Sequence, residues 1–160
     1  MSKAIEIEPM TAEAFAPFGD LIESKGAADK IINQGLCERF HDRAQLEFSD
    51  GRAGLSLFQA EPRALPLTLE MVERHPDGSQ AFVPMSLDAF LVIVAKDKGG
   101  IPDRPRAFRT VPGQAINFHR NIWHGVLTPL APPGLFAVVD RIGAGANLEE
   151  HWFDEAYTVL

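Results

Sequence analysis

The chain has a single cysteine, Cys37, in 160 residues, so no intrachain disulfide can form and a reducing compartment is the expected setting. It also lacks a long apolar run. The longest, AFLVIVA (Ala89 to Ala95), is too short to span a bilayer, and the opening MSKAIEIEPM is a charged, alternating segment without the apolar core of a signal peptide. A cytoplasmic protein with no membrane partner is the expectation. Basic clusters are missing as well. With 15 Lys and Arg against 22 Asp and Glu, the net charge is −7, which argues against nucleic acid and anionic lipid as partners. A small anionic substrate stays open, because two or three local arginines can outweigh a negative overall field. No repeat, low-complexity segment or linker divides the chain, so residues 1–160 read as one domain.

What is present is a dense punctuation of turns. Thirteen Gly and 12 Pro are scattered along the chain and separate short apolar or alternating segments. AGLSLFQA, LPLTLEMVERH, QAFVPM, AFLVIVA, RAFRTV, AINFH, HGVLTPL and LFAVVDRI read as strands. MTAEAFAPFGD reads as one short helix, with Thr11 as its cap, Glu13 in its first turn and Gly19 as its stop. About eight strands with so little helix predict an all-β sandwich or barrel. Leu67, Leu69, Met71, Leu91, Ile93, Phe136 and Val138 are the expected core residues. The tail NLEEHWFDEAYTVL fits either a short helix or a covering strand.

The segment LPLTLEMVERHPDGSQAFVPM combines this patterning with chemistry. Leu67, Leu69 and Met71 alternate, and the same phase continues to Glu73 and His75. If PDGS (Pro76 to Ser79) is a hairpin loop, His75 faces Gln80 and Glu73 faces Phe82 across the ladder. Glu73, His75 and Gln80 then share the inward face, an uncommon place for a carboxylate, an imidazole and an amide. Arg74 is out of phase and is expected to point outward, towards a partner subunit or solvent. A second polar cluster, NFHRNIWHGV, carries His119, Arg120 and His124. For each histidine, a hydrogen-bonded core role and a ligand role both remain open from the residues alone.

This arrangement resembles the cupin superfamily, whose first motif runs His-x-His, three or four residues, then Glu. The second motif places a His after a Pro-Gly turn. On this chain Glu73 stands at the first His, His75 at the second, Gln80 at the Glu and His124 at the second-motif His. The resemblance implies a divalent-metal set of Glu73, His75, Gln80 and His124, with an amide oxygen as a weaker ligand than the usual carboxylate. A dioxygenase normally needs a fuller histidine set, so Gln80 counts against that activity.

A closer resemblance covers nearly the whole chain. NQGLCERFHD, LPLTLEMVERHPDGSQAFVPM, NFHRNIWHGVL and DRIG are similar to the ureidoglycolate lyase family. It implies a cupin-like barrel (jelly roll) that forms a homodimer, with Ni(2+) or another divalent metal as cofactor. The implied reaction splits (S)-ureidoglycolate into glyoxylate and urea in allantoin breakdown. An amidohydrolase releasing ammonia and carbon dioxide, and a non-catalytic binding protein on the same scaffold, are the alternatives.

Urea elimination needs a base for the hydroxyl proton, a donor for the departing nitrogen and a cation for the substrate carboxylate. Glu73, His75 and His124 are the candidate acid–base groups. Arg120 and Arg141 are the candidate carboxylate clamps, although Arg141 fits equally a structural pair with Asp140 or Glu149. Asn33 and Gln34, before Gly35, fit either a turn or a contact to the urea amide.

Overall fold

Short strands between Gly/Pro turns make up nearly all the regular structure of the computed structural model, which describes residues 3–160. In chain order they are β1 (Ala4–Ile5), β2 (Ile7–Pro9), a one-turn helix α1 (Ala12–Phe15), β3 (Gly19–Ile22), β4 (Lys30–Ile32), β5 (Cys37–Arg39), β6 (Arg52–Gln59), β7 (Leu67–Arg74), β8 (Gln80–Pro84) and β9 (Phe90–Ala95). Then come β10 (Asp97–Lys98), β11 (Ile101–Pro102), β12 (Arg106–Arg109), β13 (Ala115–Phe118), β14 (Trp123–His124), β15 (Thr128–Pro129), β16 (Leu135–Ile142) and β17 (Glu149–Val159). The tail is therefore a strand, and HGVLTPL supplies two short pieces rather than one. No helix among the described residues is long and apolar enough to cross a membrane.

Helix α1 starts as its sequence dictates: the Thr11 hydroxyl accepts the Ala14 N–H at 3.1 Å. It ends at Phe15, earlier than the expected stop at Gly19, because Pro17 has no N–H to return to the Glu13 carbonyl. Gly19 instead opens β3, where an added Cβ would lie 2.0 Å from the Asn117 carbonyl oxygen. Only glycine lets β3 run that close to β13.

Two sheets carry the architecture. The first has the order β1-β17-β7-β14-β9-β12-β2, with β15 also on β9; the second is β3-β13-β8-β16-β6. Strands β1 and β2 lie at opposite edges of the first sheet yet are separated only by Glu6, so the chain bends that sheet round on itself. One apolar cluster fills the concavity: Ile5, Leu69, Val72, Leu91, Ile93, Ala95, Ala107, Trp123 and Val159 all belong to the first sheet. A second cluster joins the two sheets, with Val92, Val94 and Phe108 on one side and Phe82, Ile116, Phe118, Phe136 and Val138 on the other. Strand β9 contributes alternately to both, which explains why AFLVIVA is apolar throughout rather than alternating.

Two expectations are corrected here. Strands β7 and β8 do not form a hairpin: β7 pairs with β14 and β17, whereas β8 pairs with β13 and β16. The PDGS segment crosses from one sheet to the other, so Glu73 is opposite His124 and Glu150, and Gln80 is opposite Phe118. A four-residue Pro-Asp-Gly-Ser loop serves a reversal within a sheet and a crossing between sheets equally well. Alternation along β7 is also broken, because Leu69 and Val72, three residues apart, enter the same cluster. The slip lies alongside a register shift in β17 between Trp152 and Tyr157. Leu67 and Met71 end up half-buried, and their face is not simply the one that carries Glu73.

Candidate active site

Pairing in the first sheet places the site. Glu73 and His124 are direct cross-strand partners, and His124 is in turn opposite Val94, a member of the inter-sheet cluster. Directly opposed residues share a face, so both side chains point between the sheets. His75 follows Glu73 by two residues, just beyond the end of β7. Ligating atoms of Glu73, His75 and His124 all lie within 4.8 Å of one another, and the two imidazole rings are 5.1 Å apart. His124 is buried, and its ring stacks on Phe118 of the second sheet at 4.3 Å and 6°. Such a contact contributes roughly 0.5–1.5 kcal/mol and fixes the plane of the ring.

Backbone carbonyls set the tautomers. His75 Nδ1 is 2.9 Å from the Asn147 carbonyl oxygen, and His124 Nδ1 is 2.9 Å from that of Gly125. A carbonyl only accepts, so Nδ1 carries the proton in each ring and Nε2 keeps its lone pair. Both Nε2 atoms are buried without a hydrogen-bond partner. Burial, with His75 nearby adding to the effect, holds the His124 imidazole far below its ordinary value, at about 3. The Glu73 carboxylate accepts no hydrogen bond from any described residue. Burial pushes its pKa up, His75 opposes that rise, and Glu150 across the ladder adds to it.

Gln80 enters from the facing sheet, beside Phe118, and is buried. Its Nε2 donates to Asp140 at 3.2 Å, and its Oε1 has no partner. Two lone-pair imidazole nitrogens, a carboxylate without donors and an unpartnered amide oxygen suit a borderline divalent ion. Carbonyl contacts behind the two rings are the outer support such ligands require.

The arginines are placed differently. Arg120 lies exposed over the crossover next to His75, donating to the Pro76 carbonyl and, at 3.3 Å, to Glu47. Arg141 pairs with neither Asp140 nor Glu149. Its guanidinium donates to the backbone carbonyls of Ser49, Asp50 and Ala144, and Glu149 pairs with Arg74 instead. Arg74 sits on the other face, over the Trp123 ring at 4.3 Å and bonded to Asp97 as well. Asn33 and Gln34 form an exposed left-handed turn, with φ of 53° and 59°. His119 stands 3.0 Å from Asp20, outside the cluster.

Two supporting residues carry no sequence signal for the roles they play. Asn147 holds His75 through its carbonyl and the Asp77 N–H through its side chain, with φ of +32°. Asp140 holds Gln80. Asn147 precedes the tail strand and Asp140 belongs to DRIG, but neither carries a pattern that ties it to residues about 60 to 70 positions away.

The fold and the cluster together define a cupin-like β-barrel with a His/carboxylate centre between its sheets. The family model described as "Ureidoglycolate lyase" matches residues 2–160. Curated relatives named ureidoglycolate lyase include one from Rhodobacter capsulatus, 62% identical over 91% of each chain. Another, "Ureidoglycolate lyase 2" of Rhizobium meliloti, is 52% identical over 97% of this chain and 96% of its own. The protein from a Chelativorans species is 51% identical over 98% and 96%. The chain belongs to the ureidoglycolate lyase family.

Proposed function

We propose that the protein splits ureidoglycolate into glyoxylate and urea at the Glu73, His75, Gln80 and His124 cluster, with nickel or another divalent ion as cofactor. Family membership supports the reaction class. The observation that carries the site is the convergence of two unpartnered Nε2 lone pairs and a carboxylate without donors. A divalent ion held by the four residues would polarise the substrate hydroxyl and carboxylate oxygens.

The chain's own groups then have defined tasks. With the ion bound, Glu73 would give it one carboxylate oxygen and use the other to accept the hydroxyl proton; without it, the whole carboxylate serves as the base. The C–N bond breaks as the C=O bond forms, and Glu73 returns the same proton to the departing urea nitrogen. Atoms and charge balance without a co-reactant. His75 and His124, fixed as Nδ1–H tautomers, keep their Nε2 atoms facing the reacting centre. Arg120 receives the substrate carboxylate in exchange for its contacts with Glu47 at 3.3 Å and Asp77 at 4.0 Å, while the Pro76 carbonyl keeps it in place. Arg141 acts by holding the segments around Ser49, Asp50 and Ala144.

A homodimer is part of the same reading. Leu57, Ala137 and Val83 form one cross-strand row on the outer face of the second sheet, and Leu55 lies on the next row. Leu55 and Leu57 are 73% and 65% exposed, an apolar face that a second copy would cover. Light scattering at twice the 17.6 kDa chain mass, falling to the monomer in Leu57→Asp, is the expected result.

The test of function is product release from ureidoglycolate with urease left out. Urea with stoichiometric glyoxylate and no ammonia is expected. Ammonia without urea would make the protein an amidohydrolase, and neither product would make it a binding protein.

A further inference from the structure

We propose that Asp140 is a positioning residue that decides which end of the Gln80 amide faces the site, and that residues 80 and 140 share the role a single glutamate plays in the cupin pattern. This rests on the metal reading above. An ionised carboxylate offers only acceptors, so the Gln80 amide must turn its nitrogen towards Asp140, and it does so at 3.2 Å. The carbonyl oxygen is thereby directed away from Asp140, and it is the end left buried without a partner. Gln80 and Asp140 both lie on the inner face of the second sheet, in line with Phe82 and Val138 of the inter-sheet cluster. Gln80 is also opposite Phe118, the residue stacked on His124.

The strand beyond Asp140 leaves it free for this task. Its cross-strand partner on β6 is Gly54, which places no side chain beside the carboxylate. Gln80 is its only side-chain hydrogen-bond partner among the described residues.

Charge explains why residue 80 is an amide. A glutamate at residue 80 would set a second carboxylate against Asp140 in a partly buried space, where two like charges repel. With glutamine, the pair keeps one negative charge, moved one residue back from the site. The amide oxygen is the ligand atom, and the carboxylate behind it fixes its direction, as outer-shell carboxylates do for other ligands. The apparent departure from the cupin pattern is then a relocation of the carboxylate rather than its loss.

Calorimetric titration of chelator-stripped protein with nickel(II) tests this on wild type, Asp140→Asn, Gln80→Glu and the double variant, each checked by thermal melting. Wild type should bind one equivalent. Asp140→Asn is isosteric but can present either its NH2 or its oxygen, so the Gln80 amide loses its fixed direction. Nickel affinity should fall about 10- to 100-fold. Gln80→Glu alone should bind no more tightly than wild type. The double variant should recover wild-type affinity or better, because the introduced asparagine can donate to the introduced glutamate and leave its other oxygen for the ion. A merely structural Asp140 would not give that reciprocal rescue. Without metal, the Gln80 side-chain amide protons should show slowed exchange in wild type that Asp140→Asn abolishes. Nickel binding by wild type and Asp140→Asn alike, or losses that add in the double variant, would overturn the assignment of Asp140 and leave the metal site standing. No nickel binding by wild type would remove the metal reading and this proposal with it.

Discussion

Two carboxylates at the same barrel, Asp20 and Glu73, are treated in opposite ways. Burial pushes the pKa of Asp20 up, but the Gln45 N–H, the Asn117 amide and His119 together outweigh it and hold the group below its ordinary value. Glu73 is desolvated more strongly and has no donor to offset it, and its pKa is raised. Both neighbourhoods contain histidine and a side-chain amide. In the first, Asp20 draws its neighbours onto itself and ties β3 to β13. In the second, backbone carbonyls hold the histidines from behind, and three buried atoms, His75 Nε2, His124 Nε2 and Gln80 Oε1, are left unpaired. Beside Asp20, His119 Nε2 at least stands 3.0 Å from the carboxylate, and only Asn117 Oδ1 is left without a partner among the described residues. A buried polar group costs about 1–3 kcal/mol when unsatisfied, so a cluster of them indicates a ligand supplied from outside the chain.

The contrast can be broken first at the histidines. His124→Ala should lower both metal affinity and turnover by at least about 100-fold, whereas His119→Ala should leave both within a few-fold. Steady-state kinetics and metal titration read the difference.

The carboxylates should then separate stability from activity. Asp20→Asn loses charge-assisted hydrogen bonds and should cost roughly 1–3 kcal/mol in urea unfolding while turnover changes little. Glu73→Gln removes an unpaired, half-buried charge, so the metal-free protein should melt no lower than wild type. Its turnover should fall on the order of 100-fold, because the base is gone.

Acid titration of chelated protein sharpens the comparison further. His124 has a folded pKa of about 3 against an ordinary 6.5, so between those values the unfolded chain binds more protons. Its contribution is fully present above about pH 6.5 and is lost as pH falls towards 3, giving stability that rises with pH across the window. Glu73 has the opposite sign: its raised folded pKa makes its contribution fall as pH rises through that value. His124→Asn should flatten the rising slope, and Glu73→Gln should steepen it.

The smallest effect is expected at Arg120. Arg120→Ala should raise KM several-fold with kcat nearly unchanged, the pattern of binding shared by ground and transition states.

How far the sequence anticipates this structure depends on the range of each determinant. Local chemistry is legible: Thr11 caps its helix, the two-sided burial of β9 appears as AFLVIVA, and the spacing of Glu73 and His75 puts both on the site. The route by which Gln80 joins them is not legible, because PDGS does not say whether the chain turns back or crosses over. In sequence, only the cupin resemblance links His124 to the candidate site, although the physical warrant is simple: it lies directly opposite Glu73. Asp140 and Asn147 act across about 60 and 70 residues, and no local pattern announces a partner at that distance. The tail reads ambiguously in sequence because β17 carries an irregular register against β7, which blurs its alternation.

Nitrogen NMR of the five histidine rings during zinc titration of chelated protein tests the central claim most directly, since zinc is diamagnetic and shares this donor preference. Before addition, His75 and His124 should show protonated Nδ1 and bare Nε2. At one equivalent their Nε2 resonances should move together to saturation, while those of His41, His119 and His151 stay in place. If the His75 and His124 resonances remain where they were, or if the other three move in their stead, the cluster between the sheets is not the metal centre.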